Sequence, residues 1–158
     1  MSRTSPQVSD PQLPIGALLR FALDDVRARI YAGVVADGFD DVRPAHVTLF
    51  RWPGPEGRRP SEVAADANIS KQRVNDLLRD LERLGYVELD ADPTDSRARL
   101  IRLTDRGRCL HETAVAVHAQ IEDEWAGALG ERGFLQLREG LGRLTPPAVD
   151  HAMHLARR

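Results

Sequence analysis

The sequence predicts a mainly α fold carrying one small β-hairpin. Three observations lead there. Apolar residues recur at three- and four-residue steps over long stretches near both ends of the chain, the spacing that holds them on one helix face. Between those stretches, prolines and glycines mark off shorter helical segments. Around residues 86–103 alone the pattern changes to two short β-like runs flanking a polar loop.

Taken in order, residues 1–12 hold Pro6, Pro11 and small polar residues, and are expected to form a mobile arm. From Leu13, the residues Ile15, Leu18, Leu19, Ala22, Val26, Ile30 and Val34 stripe a long helix ending near Gly38. Pro44 suits the first turn of a short helix over Ala45–Arg51, which Pro53 and Gly54 close. A loop over Pro53–Arg59 leads to a helix from Pro60 to Ala67, with Val63, Ala64 and Ala67 inward. Ser70 stands where an N-cap belongs. In Lys71–Leu84 the stripe is Val74, Leu77, Leu78, Leu81 and Leu84, and Gly85 follows as the left-handed residue.

Strands are expected at Tyr86–Asp90 and Arg99–Leu103, with Ala91–Ala98 as the loop between them. Thr104 caps a long helix striped by Leu110, Ala114, Val117, Ile121, Trp125 and Leu129. Gly130 interrupts it, a last helix Phe134–Leu144 presents Phe134, Leu137, Leu141 and Leu144, and residues 146–158 form a tail. The order is that of a winged helix-turn-helix flanked by long helices, an arrangement that reads duplex DNA.

The chemistry of the central run agrees. The solvent face of Lys71–Arg79 carries Lys71, Gln72, Arg73, Asn75, Asp76 and Arg79. Gln and Asn side chains pair with adenine and Arg with guanine in the major groove, each contact giving roughly 1–3 kcal/mol of discrimination. In the hairpin, Arg97 is suited to the minor groove, with Asp95 placed to hold its guanidinium and Arg99 close behind. The competing readings are a solvated helix face and an exposed loop ion pair.

Composition bounds the answer. The 158 residues suffice for one domain with a real core, and 42% hydrophobic and 29% charged residues are ordinary for a soluble protein. No apolar run approaches a membrane span and no apolar signal segment opens the chain, and Cys109 is the single cysteine, so a cytoplasmic protein is expected. The net charge is −2, and residues 44–104 hold ten basic and ten acidic residues. Any DNA affinity must therefore come from where the arginines sit. Of the 22 basic residues only Lys71 is a lysine.

Residues 45–107 resemble the MarR family of winged helix-turn-helix transcriptional regulators. The resemblance rests on Arg59-Pro-Ser-Glu-Val-Ala64, on the helix from Ser70 to Val87, on Asp95-Ser-Arg97 and on Arg102-Leu-Thr-Asp-Arg-Gly107. With the long flanking helices it covers residues 13–144. It implies a single domain over 13–145, with a DNA-binding lobe at 44–104 and dimerisation helices at 13–38 and 105–144. It implies a homodimer on a roughly palindromic double-stranded operator, its two recognition helices about one helical turn apart. The function implied is repression, relieved by a small phenolic or anionic effector. DNA contacts are implied for Ser70, Lys71, Gln72, Arg73, Asn75, Arg79, Asp95, Arg97 and Arg99. The effector site implied draws on Arg20, Phe21, Asp24, Tyr31, His46 and Phe50, with Trp52 nearby. Phe21, Phe50 and Trp52 are more often plain core, and an arginine such as Arg20 on a long helix is usually solvated. Phe21, Leu23 and Phe134 suit burial against a partner subunit or within the monomer. Where family members often carry cations after the first wing strand, this chain has Leu89 and Asp90.

Other chemistries find little support. Cys109 is expected to be a buried, inert thiol, the rival being a redox-sensing regulator. His111 and His118 lie two helical turns apart, about 10 Å, too far to share a metal unaided, and His151 and His154 fall in the tail. No metal site, cofactor or catalytic motif is expected, and an enzyme is not. The alternative function is a winged-helix module for protein–protein assembly.

Overall fold

A computed structural model describes residues 13–50 and 54–145. The arm, the tail with His151 and His154, Trp52 and the expected helix end at Arg51 lie outside the described residues. The elements are α1 (Ile15–Ala36), α2 (Pro44–Val47) running into a 3₁₀ turn (Thr48–Phe50), α3 (Pro60–Ala67), α4 (Lys71–Arg83), β1 (Val87–Asp92), β2 (Asp95–Leu103) and α5 (Asp105–Leu144).

Local rules set most boundaries. Pro44 and Pro60 open α2 and α3, Ser70 and Thr104 cap α4 and α5 with their hydroxyls, and Gly85 takes φ +77° after α4. The α4 stripe Val74, Leu77, Leu78 and Leu81 is buried in one cluster with Val63, Ala64, Val87, Ile101 and Leu103. Ile30 and Val34 of α1 pack with Leu110, Ala114 and Ile121 of α5. The two groups form one continuous core.

Their junction is Tyr86. It is fully buried, with its ring 6.1 Å from Phe39 and 6.4 Å from Phe50. Its hydroxyl donates to Asp41, and the Arg106 guanidinium lies over the ring at 4.4 Å while bonding Asp41 at 2.9 Å and the Leu84 carbonyl at 2.8 Å. Burial, then the Asp41 carboxylate, push the phenol above its usual pKa. The Tyr86 carbonyl faces Gly107 so closely that a Cβ there would stand 2.0 Å away. That contact explains why glycine ends the Leu-Thr-Asp-Arg-Gly run.

The hairpin corrects the expectation. Its strands reach Asp92 and begin again at Asp95, so Pro93-Thr94 makes a tight turn where the loop Ala91–Ala98 was expected. Asp92 is the cause. Its buried carboxylate accepts from the Thr94 N–H (2.8 Å) and hydroxyl (2.6 Å), and from Arg59 Nε (2.8 Å). Thr94 first, and then Arg59, hold that carboxyl down at about 2. The wing tip is thereby tied to the N-cap of α3.

A second tie joins α2 to α4. Arg43 pairs with Asp80, and the buried His46 ring accepts the Arg43 N–H at Nδ1 (3.2 Å) while Nε2 lies 3.5 Å from Asp80. Burial, then the adjacent Arg43 charge, lower the His46 pKa.

As expected, α5 breaks at Gly130, at φ +71°. Arg138 bonds Glu122 across the break at 2.9 Å. On a straight helix those residues would stand about 24 Å apart, so the chain folds back there. Leu129, Leu137, Leu141 and Leu144, expected on buried stripes, are exposed in the single chain.

Two predictions follow from these contacts. Gly107→Ala should destabilise the fold by about 3 kcal/mol, the upper part of the overpacking range, as read by urea unfolding at pH 7. Asp92 has a folded pKa below its ordinary value of 3.8, so its stabilisation is complete above that value and lost as pH falls toward about 2. The stability gap between the protein and Asp92→Asn, followed by denaturation midpoint, should therefore be full above about pH 4 and close toward pH 2. A gap that is constant with pH would contradict it.

Candidate nucleic-acid interface

Helix α4 offers its outer face and its first turn. Ser70 Oγ accepts the Arg73 N–H at 3.1 Å, fixing where the helix begins. Opposite the buried stripe, Gln72, Asp76 and Arg79 are exposed, with Lys71, Arg73 and Asn75 beside them. The Arg79 guanidinium is taken by Asp76 at 3.0 Å, one turn back on the same face. Asp76 was absent from the sequence-derived site, although its spacing from Arg79 was in plain view.

On the wing, Arg97 and Arg99 lie on β2 rather than in a loop. Asp95 does not hold the Arg97 guanidinium as expected. Its Oδ1 accepts the Arg97 backbone N–H at 3.0 Å, and its other oxygen is 3.9 Å from Arg59. A short side chain so near its own turn finds main-chain donors first. Arg99 reaches across the hairpin to the Leu89 carbonyl at 3.1 Å.

The charge distribution resolves the neutral sum. Carboxylates hold Arg58 (Asp66), Arg59 (Asp92), Arg79 (Asp76), Arg83 (Asp80) and Arg102 (Asp90). Lys71, Arg73, Arg97 and Arg99 have no carboxylate partner among the described residues. All four belong to the first turn of α4 or to the wing. The stem residue Asp90 spends its charge on Arg102 at 3.5 Å. Arg59 and Asp92, which set the wing against α3, escaped sequence reasoning because 33 residues separate them.

The six residues expected at an effector site do not converge. Arg20 and Asp24 form an exposed pair at 3.6 Å, and Phe21 is exposed. Phe50 is core against Tyr86, and His46 is engaged with Arg43 and Asp80. Position along a helix, without knowledge of which face meets α5, could not separate lining residues from solvated ones. Tyr31 alone of the six lines a cavity of about 640 Å3 between α1, α2 and the α3–α4 turn. Leu23, Val26, Ile30, Val47 and Ile69 give it an apolar wall, and Arg27, Thr48 and His118 supply polar groups.

Cys109 is exposed, against expectation, because the inward positions of its helical turn are taken by Gly107 and Leu110. His111 Nδ1 lies 3.1 Å from the Phe50 carbonyl. Among the described residues no group of three or more His, Cys, Asp or Glu side chains is placed to hold a metal, and no helix is long and apolar enough to cross a membrane.

Comparison with known proteins agrees with this architecture. The MarR family model matches residues 44–98. An HTH-type transcriptional repressor of Mycobacterium tuberculosis is 30% identical over 132 residues, which span 82% of this chain and 94% of the relative. A crystal structure of MarR is 26% identical with a TM-score of 0.66, covering 87% of this chain and 99% of that one. CouR from Rhodococcus jostii, solved bound to p-coumaroyl-CoA, is 25% identical with a TM-score of 0.67, covering 89% and 95%. Streptococcus pneumoniae FabT, solved in complex with DNA, shares the fold at 23% identity and TM-score 0.65, covering 82% and 92%. This chain belongs to the MarR family of winged helix-turn-helix transcriptional regulators.

Proposed function

We propose that the protein is a homodimeric, sequence-specific DNA-binding repressor that a small molecule releases from a palindromic operator. It acts by binding rather than catalysis, in the cytoplasm where its operator lies. The observation that carries the reading is the segregation of charge. Four cations without carboxylate partners flank a polar helix face, while the lobe's other described cations are neutralised. Gln72, Asn75 and Arg79 are assigned to base edges, and Arg97 to the minor groove. Ser70, Lys71, Arg73 and Arg99 are assigned to phosphates, and Asp95 shapes the wing that presents Arg97.

The division of labour follows the earlier boundaries, with residues 44–104 as the reading lobe and 13–38 and 105–144 as dimerisation helices. Supporting it, α1 exposes Ile15, Leu18, Leu19, Phe21 and Leu23, and the end of α5 exposes Leu129, Leu135, Leu137, Leu141 and Leu144. So much apolar surface at both ends of one chain is better covered by a second copy. The cavity beside Tyr31 is the effector site in this reading. Its apolar wall with a phenol, an arginine and a histidine suits an aromatic anion, and the aromatic ligand of CouR is of that kind.

Selection of bound duplexes from a random pool should return a two-fold symmetric site with half-sites about 10 base pairs apart. With four such cations per protomer, log affinity should fall with log salt at a slope near −7 for the dimer, and Arg97→Ala with Arg99→Ala should roughly halve it. Gln72→Ala or Asn75→Ala should instead change preference at particular base pairs with little change in that slope. Negligible duplex binding at every salt concentration would favour a protein–protein assembly module.

A further inference from the structure

We propose that the Arg43–Asp80 pair, with His46 packed beside it, couples occupancy of the cavity to the placement of recognition helix α4. The proposal rests on reading the cavity as the effector site.

Helix α2 has only four residues before its 3₁₀ turn. A helix so short has no stability of its own, so what it touches fixes its position. Pro44, Ala45 and Val47 of α2 line the cavity. From the same segment, Arg43 and His46 reach the Asp80 carboxylate in the third turn of α4. Tyr31, on the α1 wall, directs its hydroxyl to the Val42 carbonyl at 3.5 Å, adjacent to Arg43. The cavity also touches Ile69, which immediately precedes the N-cap of α4. The recognition helix is thus fixed near its start and in its third turn by residues continuous with the cavity wall.

A molecule that enters and displaces α2 must carry Arg43 with it or break the pair. Arg43 and Asp80 are 59% and 33% exposed, so the pair is partly solvated and separates at modest cost. It therefore suits a switch better than a permanent brace. A ligand shifts such an equilibrium only through contacts that differ between the two states, and the α2 wall is where the contacts differ.

A substituted side chain can stand in for the effector. Val26→Trp adds bulk to the cavity from α1, and duplex affinity of the full dimer would be measured by fluorescence anisotropy on the selected operator. We expect Val26→Trp to weaken binding about tenfold, an ordinary size for coupling between sites. In an Asp80→Asn or Arg43→Gln background the same substitution should change affinity less than about twofold, the signature of a shared path. Thermal melting of each variant checks folding, and Arg43→Gln carries the test if Asp80→Asn does not fold. The double reversal Arg43→Glu with Asp80→Arg should restore the response to Val26→Trp. If Val26→Trp weakens binding equally in every background, the coupling is overturned while the effector reading stands. If it leaves the affinity of the otherwise unchanged dimer intact, the cavity is not the effector site and both fall.

Discussion

Tyr86 is where the two halves of the molecule are fastened. It leaves α4 through Gly85, enters β1 at the next residue, and places its ring between Phe39, Phe50 and the Arg106 guanidinium. Its hydroxyl reaches Asp41 after α1, and its carbonyl accepts the Thr104 N–H at 3.2 Å where β2 gives way to α5. A single residue thereby relates the winged-helix lobe to both long helices. The close approach of Gly107 follows from it, as does the direction in which α5 leaves the lobe. A buried polar group so fully satisfied specifies one arrangement and penalises others.

The lobe's electrostatics depend on the same economy of placement. Ten cations and ten anions cancel in the sum, yet the anions are not distributed evenly. Asp66, Asp90 and Asp92 hold arginines that brace one element against another. Such bridges are individually weak at a surface, but they withdraw negative charge from the helix start and the wing. Asp76 instead sits with Arg79 on the exposed face of α4. An affinity built this way depends on position and little on net charge.

What the sequence made legible was local. The α4 stripe, the Ser70 and Thr104 caps, Gly85 and the break at Gly130 each follow from a few neighbouring residues, and the structure has all of them. The hairpin length was not legible, because a Pro-Thr turn preceded by Asp looks like open loop until Arg59 arrives from 33 residues away. The Asp95 carboxylate was assigned to a guanidinium when the nearer backbone N–H was the better donor. Five of the six residues expected at an effector site do not line the cavity, for a related reason. Which face of α1 lines a cavity is settled by α2 and α5, and neither registers in the spacing of α1 itself.

The scarcity of lysine has a practical side. Lys71 is the only side-chain amine in the chain, and it stands exposed in the first turn of α4. Arginine is inert to acylation under conditions where an ε-amine reacts. Enzymatic acetylation of a side-chain amine is therefore confined to one position, in the first turn of α4. An amine-reactive dye, once the chain's terminal amine is blocked, attaches at that position alone and becomes a ready-made reporter of whether the helix is occupied.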